Sequence, residues 1–143
     1  MRYEKTDKGY MVRLFKGEKV HESLVHFAEK LSISTASYYG IGGIAQVELG
    51  YFRSEKKQYQ KKIFEGDYEL VSFIGNLCEL DGKPFCHSHV TMGDENYQSI
   101  PGHLFEATIF ATMEIHLIPF SNKWTRILDP EMGFYGLNLN GKI

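Results

Sequence analysis

Only one stretch of the chain repeats its apolar residues at helical spacing. Val20, Leu24, Phe27, Ala28 and Leu31 fall on one stripe of a helix drawn over residues 18–31. Gly17 breaks the pattern in front of it, and no second helix of comparable clarity follows. The remainder must therefore build its core from strands. Residues 10–16, 44–53, 57–64, 68–80, 85–92, 104–119 and 123–128 are rich in β-branched and aromatic residues and read as strands. Residues 104–119 form one long strand or a bulged pair. Glu65-Gly66-Asp67 reads as a turn, Asp81-Gly82-Lys83 as a hairpin, Gly40-Ile41-Gly42-Gly43 as a bend and residues 93–102 as a polar loop. One amphipathic helix against a mostly antiparallel sheet is an α+β layout. At 143 residues the chain is read as a single domain, 1–143, with enough core to fold without a staple.

The charge balance narrows the partners. Sixteen basic and eighteen acidic residues give a net charge of −2, which excludes a protein that coats nucleic acid by bulk charge. The opening MRYEKTDKGY lacks the apolar run of a signal peptide, and no stretch reaches the 18 apolar residues of a membrane span. Cys78 and Cys86 are too few for a disulfide framework. The expectation is a cytoplasmic protein with reduced thiols and no membrane partner.

The chemistry concentrates in histidines. His87-Ser88-His89 lies on a strand, where residues two apart share a face, so both imidazoles can grip one ion. His103 follows at the far end of the polar loop, which can close and bring it to the pair. Three imidazoles with an open fourth position suit zinc or another divalent first-row metal, with water or a small-molecule carboxylate in that position. Ordinary imidazole basicity predicts that occupancy falls near pH ~6.5. A three-residue hairpin loop would set Cys78 opposite Cys86, Leu77 opposite His87, and Gly75 opposite His89. Cys86 then lies on the face away from the histidines. The plainer alternative is a strand whose histidines bond to neighbours. His21 and His26, on the helix, are read as surface or partly packed residues, and Glu114-Ile115-His116 as an ordinary strand face. Glu69, Asp94, Glu106 and Glu114 are candidate general bases among which spacing does not choose.

Two weaker signals remain. Gly40–Gly43 lacks the following helix that a phosphate loop requires, so it is read as a backbone turn. Arg53, Lys56, Lys57, Lys61 and Lys62, with Tyr59 among them, form the best nucleic-acid patch in the chain. The same lysines also suit an exposed hairpin that resists edge-to-edge aggregation.

Six segments in order carry a family resemblance: Gly40–Gly43, Leu49–Phe52, Tyr68–Asn76, Phe85–Thr91, Gly102–Leu104 and Thr112–Ile115. With these the chain resembles the plants-and-prokaryotes conserved (PPC) domain in its stand-alone prokaryotic form, over roughly residues 10–120. The resemblance implies an α+β fold with an antiparallel sheet, a homotrimer, and the predicted DNA-binding or regulatory role commonly given to prokaryotic members. Plant relatives bind AT-rich DNA through an added Arg-Gly-Arg-Pro-type hook, which this sequence does not contain. The implied fold is also similar to that of acetolactate decarboxylase, whose metal is held by an HxH pair and a later histidine. His87, His89 and His103 match that pattern.

Two functions follow as expectations. One is a metal-binding trimeric PPC protein of the DNA-associated, regulatory kind. The other is a small zinc-dependent lyase- or hydrolase-like enzyme acting on an oxygen-rich metabolite. A basic surface band favours the first and a deep pocket over the histidines the second. DNA binding, if the five cations supply it, is expected to be weak, indifferent to sequence and steeply salt-dependent. Tyr51-Phe52 and Phe134-Tyr135 are expected to lie between subunits.

Overall fold

A computed structural model describes residues 1–141. The expected helix is α1, Val20–Leu31, and it buries Val20, Leu24, Phe27 and Ala28 against the sheet. Twelve residues are marginal as a free helix, so tertiary contacts hold it: each of its large apolar side chains contributes roughly 1.5–3 kcal/mol on burial. Its start is capped from a distance. Glu106 accepts hydrogen bonds from the amides of His21 at 2.9 Å and Glu22 at 3.2 Å. A carboxylate there also faces the positive end of the helix dipole. At the other end Ser32 takes the left-handed conformation and returns its amide to Ala28 and Glu29.

Eight strands form one mixed, mostly antiparallel sheet: β1 (Arg2–Thr6), β2 (Gly9–Phe15), β3 (Ala36–Arg53), β4 (Gln58–Leu80), β5 (Lys83–Gly93), β6 (Ser99–Pro119), β7 (Thr125–Asp129) and β8 (Phe134–Asn138). The path runs β1-β2-β6-β3-β4-β7-β8, and β5 pairs with both β4 and β6. Strands β3, β4, β5 and β6 therefore close a ring of antiparallel pairings. Inside it and beneath α1 lie Tyr38, Ile44, Phe73, Leu77, Val90, Met92, Leu104, Ile109 and Met113. Cys86 joins this core, on the face away from the histidines as expected. No helix among the described residues is long and apolar enough to cross a membrane.

The sequence-based boundaries need four corrections. Gly40–Gly43 is not a bend; it lies within β3, where the register shifts between Gly40 and Gly42. A Cβ on Gly40 or Gly42 would stand 2.4 Å from a β6 carbonyl oxygen, of Glu114 or Thr112 respectively. The glycines therefore permit close strand approach, not a reversal. Glu65–Asp67 likewise does not turn the chain. Gly66, at φ +100°, sits in a bulge that lets β4 run unbroken from Gln58 to Leu80. The β4–β5 hairpin has a two-residue turn, with Asp81 at φ 51° and Gly82 at φ 77°. Its register is thus shifted by one: Asn76 faces His87, Ile74 faces His89, Gly75 faces Ser88, and Cys78 faces Phe85. Finally, the loop after β5 is shorter than 93–102. Asp94 ties it by accepting from the amides of Asn96 and Gln98, and Ser99–Gly102 already pair with β5.

Candidate functional site

Strand alternation and the β5–β6 register together assemble the histidines. His87 and His89 project from one face of β5, and His103 is the direct cross-strand partner of His89 on β6. The ring centroids lie 5.4 Å (His87–His89), 5.0 Å (His87–His103) and 5.4 Å (His89–His103) apart. One ligand-type nitrogen from each comes within 4.8 Å of the others. Nδ1 of His103 is buried and has no hydrogen-bond partner among the described residues. A buried polar atom without a partner is costly unless something ligates it. Burial, then the neighbouring His87 and His89, push His103 down to about 3; burial, then Arg126 and His89, push His87 down to about 4. Both are therefore neutral at pH 7, the form that ligates metal. The donor set fits a divalent first-row ion.

A pocket of about 650 Å³ opens over the three rings. Its walls are mainly aromatic: Phe52 and Tyr59 from the β3–β4 arm, Phe85 from β5, Phe105 from β6, and Phe134 and Tyr135 from β8. Phe52 meets Phe134 edge-on with centroids 5.5 Å apart. Both rings line the pocket. A further exposed apolar surface lies around Tyr39, Ile41, Val71 and Ile74.

Sequence reading missed Arg126, the only cation in the pocket lining among the described residues. The residue as a whole is 7% exposed. Nε donates to Cys78 Sγ at 3.1 Å and Nη1 to the Tyr135 carbonyl at 2.8 Å. Nη2 donates to Asn76 Oδ1 at 2.8 Å and to His87 Nδ1 at 3.0 Å. On β7 the usual code is inverted, with Arg126 inside and Ile127 and Leu128 about half exposed, so hydropathy gave no signal for it.

Behind the histidines a second polar chain braces β5. His21 Nδ1 donates to the Phe105 carbonyl at 3.0 Å, which leaves Nε2 to accept from Ser88 Oγ at 2.7 Å. Tyr38 in turn donates to Ser88 Oγ at 2.8 Å. Ser88, between the two histidines but on the opposite face, is thereby tied to α1 and β3. His21 is a packed structural residue, and burial holds its pKa down.

None of the four carboxylates named as candidate bases lines the pocket. Glu106 caps α1, Asp94 ties the β5–β6 loop, and Glu69 and Glu114 are exposed beside the apolar outer face. Of the five basic residues, Arg53 and Lys56 line one shallow surface hollow, whereas Lys61 and Lys62, adjacent on β4, point to opposite faces. Lys61 pairs with Glu48 at 3.2 Å and lies over the Phe105 ring, while Lys62, one residue on, lies over Phe64. Arg53 donates to Gln60 at 2.9 Å, and Lys56 and Lys57 occupy the exposed turn between β3 and β4.

The chain is similar in structure to a PPC protein of Pyrococcus horikoshii, with 31% identity over 97% of this chain and 96% of the other and a TM-score of 0.83. It is similar to a metal-containing protein of Archaeoglobus fulgidus, with 31% identity over 96% and 97% and a TM-score of 0.86. A candidate DNA-binding protein of Ralstonia eutropha JMP134 shares 30% identity over 96% and 95%, with a TM-score of 0.88. No curated protein matches the sequence. The family model of the Plants and Prokaryotes Conserved (PCC) domain matches residues 1–121. With that match over most of its length and the relatives' fold throughout, the chain belongs to the Plants and Prokaryotes Conserved domain family.

Proposed function

We propose that the chain is a metal-binding PPC-domain protein, one domain over residues 1–143, in which His87, His89 and His103 hold zinc or another divalent first-row ion. The observation that carries this reading is the convergence of three ligand-type nitrogens within 4.8 Å beneath a pocket, with His103 Nδ1 lacking any other partner. The metal-containing relative from Archaeoglobus fulgidus supports it. The pocket supports a small-molecule ligand beside the ion, as in a lyase- or hydrolase-like enzyme or a ligand-responsive regulator. When bound, the ion would supply Lewis acidity beside the aromatic walls.

The DNA-associated regulatory reading is second. It is supported by the relatives from Ralstonia eutropha and Bacteroides thetaiotaomicron described as candidate DNA-binding proteins. The opposite facing of Lys61 and Lys62, and the pairing of Lys61 with Glu48, argue against tight contact through all five cations at once. Self-association, as the homotrimer the family resemblance implies, is supported by the exposed Tyr39, Ile41, Val71 and Ile74, which need a cover. The free, buried Cys78 and Cys86 suit the cytoplasm.

Metal analysis of untagged protein tests the reading. About one ion per chain is expected, with most of the affinity lost in His89→Ala and the fold retained by circular dichroism. A parent protein that takes up no zinc, manganese, iron or cobalt after dialysis refutes it.

A further inference from the structure

Arg126 presents a charge the protein does not neutralise. It is 7% exposed, yet its four hydrogen bonds go to a thiol, a carbonyl, an amide and an imidazole, all neutral acceptors. Among the described residues no carboxylate lies within ion-pairing distance of it, and no acidic residue lines the pocket. A guanidinium cannot relieve its burial by losing a proton, so an uncompensated buried cation calls for an anion from outside. Of its five N–H groups four are engaged, which leaves one on Nη1. Lys61, which lies over the Phe105 ring, is already paired with Glu48.

The bond to His87 adds a coupling. Arginine only donates, so Nδ1 of His87 accepts and the imidazole proton sits on Nε2. A neutral imidazole has one free lone pair. Ligation of His87 through Nδ1 displaces Arg126 directly; ligation through Nε2 moves the proton to Nδ1 and breaks the same bond. Either route releases an N–H on Nη2, so that each terminal nitrogen then has a free donor for an anionic oxygen.

The remaining walls are mainly aromatic: Phe52, Phe85, Phe105 and Phe134 offer no polar atoms, and beyond Asn76 and the histidines only Tyr59 and Tyr135 bring side-chain hydroxyls, too few to satisfy a sugar or a polyphosphate. We propose that the pocket takes a small organic carboxylate with an aromatic or other apolar body, and that Arg126 selects its charge. Arg126 and the outer wall, Phe134 to Leu137, lie beyond residue 121, where the family match ends. The placement of the ligand beside the ion rests on the metal-binding reading above; the selection of charge by Arg126 does not.

Calorimetry on the full chain, with and without zinc, tests this using benzoate, its neutral isostere benzamide, and inorganic phosphate. Benzoate is expected to bind metal-free protein at least ten-fold tighter than benzamide or phosphate, and several-fold tighter again with zinc. Arg126→Gln should bring benzoate down to the level of benzamide, and Phe134→Ala should weaken both alike. Equal affinity for benzoate and benzamide in the unaltered protein overturns the proposal, as does phosphate binding as tightly as benzoate or no benzoate binding at millimolar concentration. Failure to take up zinc with benzoate selectivity intact overturns the metal reading alone; zinc uptake without selectivity overturns this one alone.

Discussion

Replacing Glu106 by alanine probes how the histidine strand is held. One carboxylate serves three amides: His21 and Glu22 at the start of α1, and Ala107 on its own strand at 2.9 Å. Loss of a helix N-cap costs about 1 kcal/mol, and loss of a negative charge at the helix start adds roughly 0.3–1 kcal/mol. Ala107 is fully buried and sits where the β3–β6 register shifts, so its amide has no ready substitute. Leaving it unpaired adds about 1 kcal/mol at the low end of such penalties. The expected loss is about 2–3 kcal/mol, or roughly 5–10 °C in Tm for a chain of this size. Glu106→Gln keeps an accepting oxygen and should lose about half as much. Urea and thermal melts at one fixed protein concentration, followed by circular dichroism, provide the measurement. Because His21 ties α1 to Ser88, zinc affinity should fall in the alanine variant although no ligand is touched. Stability within about 0.5 kcal/mol of the parent, the range of an ordinary surface change, would refute the reasoning.

Three further outcomes are expected. Zinc retention should persist well below pH ~6.5 and drop steeply as pH falls through about 4, because free His87 and His103 take protons only near about 4 and about 3; equilibrium dialysis across pH that shows complete loss centred at ~6.5 contradicts this. By the same linkage the metal-free fold should weaken as pH falls below ~6.5, since His87 and His103 charge there when unfolded and stay neutral when folded; urea midpoints read the direction. Gly42→Ala places a Cβ 2.4 Å from the Thr112 carbonyl oxygen and 2.6 Å from Met113 Cα, so a loss of about 3 kcal/mol or failure to fold is expected, read by soluble yield and melting.

Much of this architecture was legible because patterning has a physical period. The 3.6-residue stripe from Val20 to Leu31 marks α1, and the two-residue period of β5 sets His87 and His89 on one face and Cys86 on the other. Register was harder to read. One residue of hairpin loop length decides whether Gly75 or Ile74 faces His89, and Asp-Gly-Lys is compatible with either length. The long strands were split at Gly66 and Gly42 because glycine marks turns, bulges and close strand approach alike in sequence. β1 and β8 were missed: one carries four polar or charged residues in five, and the other is anchored chiefly by β7. Arg126 was hidden for a different reason. Three of its four hydrogen-bond partners, Asn76, Cys78 and His87, stand 50, 48 and 39 positions away in sequence.

The closed ring of β3, β4, β5 and β6 also bears on exchange rates. A ring has no free edge to peel, so the wall that carries the histidines has no low-energy way to open. The β7–β8 hairpin is fastened differently. Glu79–Thr125 is its one paired position with β4; the other ties described are the Glu79 amide on the Trp124 carbonyl, the guanidinium of Arg126, the edge contact of Phe134 with Phe52, and Gly133 against Lys57. Motion of such an element belongs to the microsecond-to-millisecond range, far faster than global unfolding. Entry to and departure from the pocket should thus be timed by release of this hairpin. A ligand that bridges Arg126 and the histidines then slows its own departure, by fastening this hairpin.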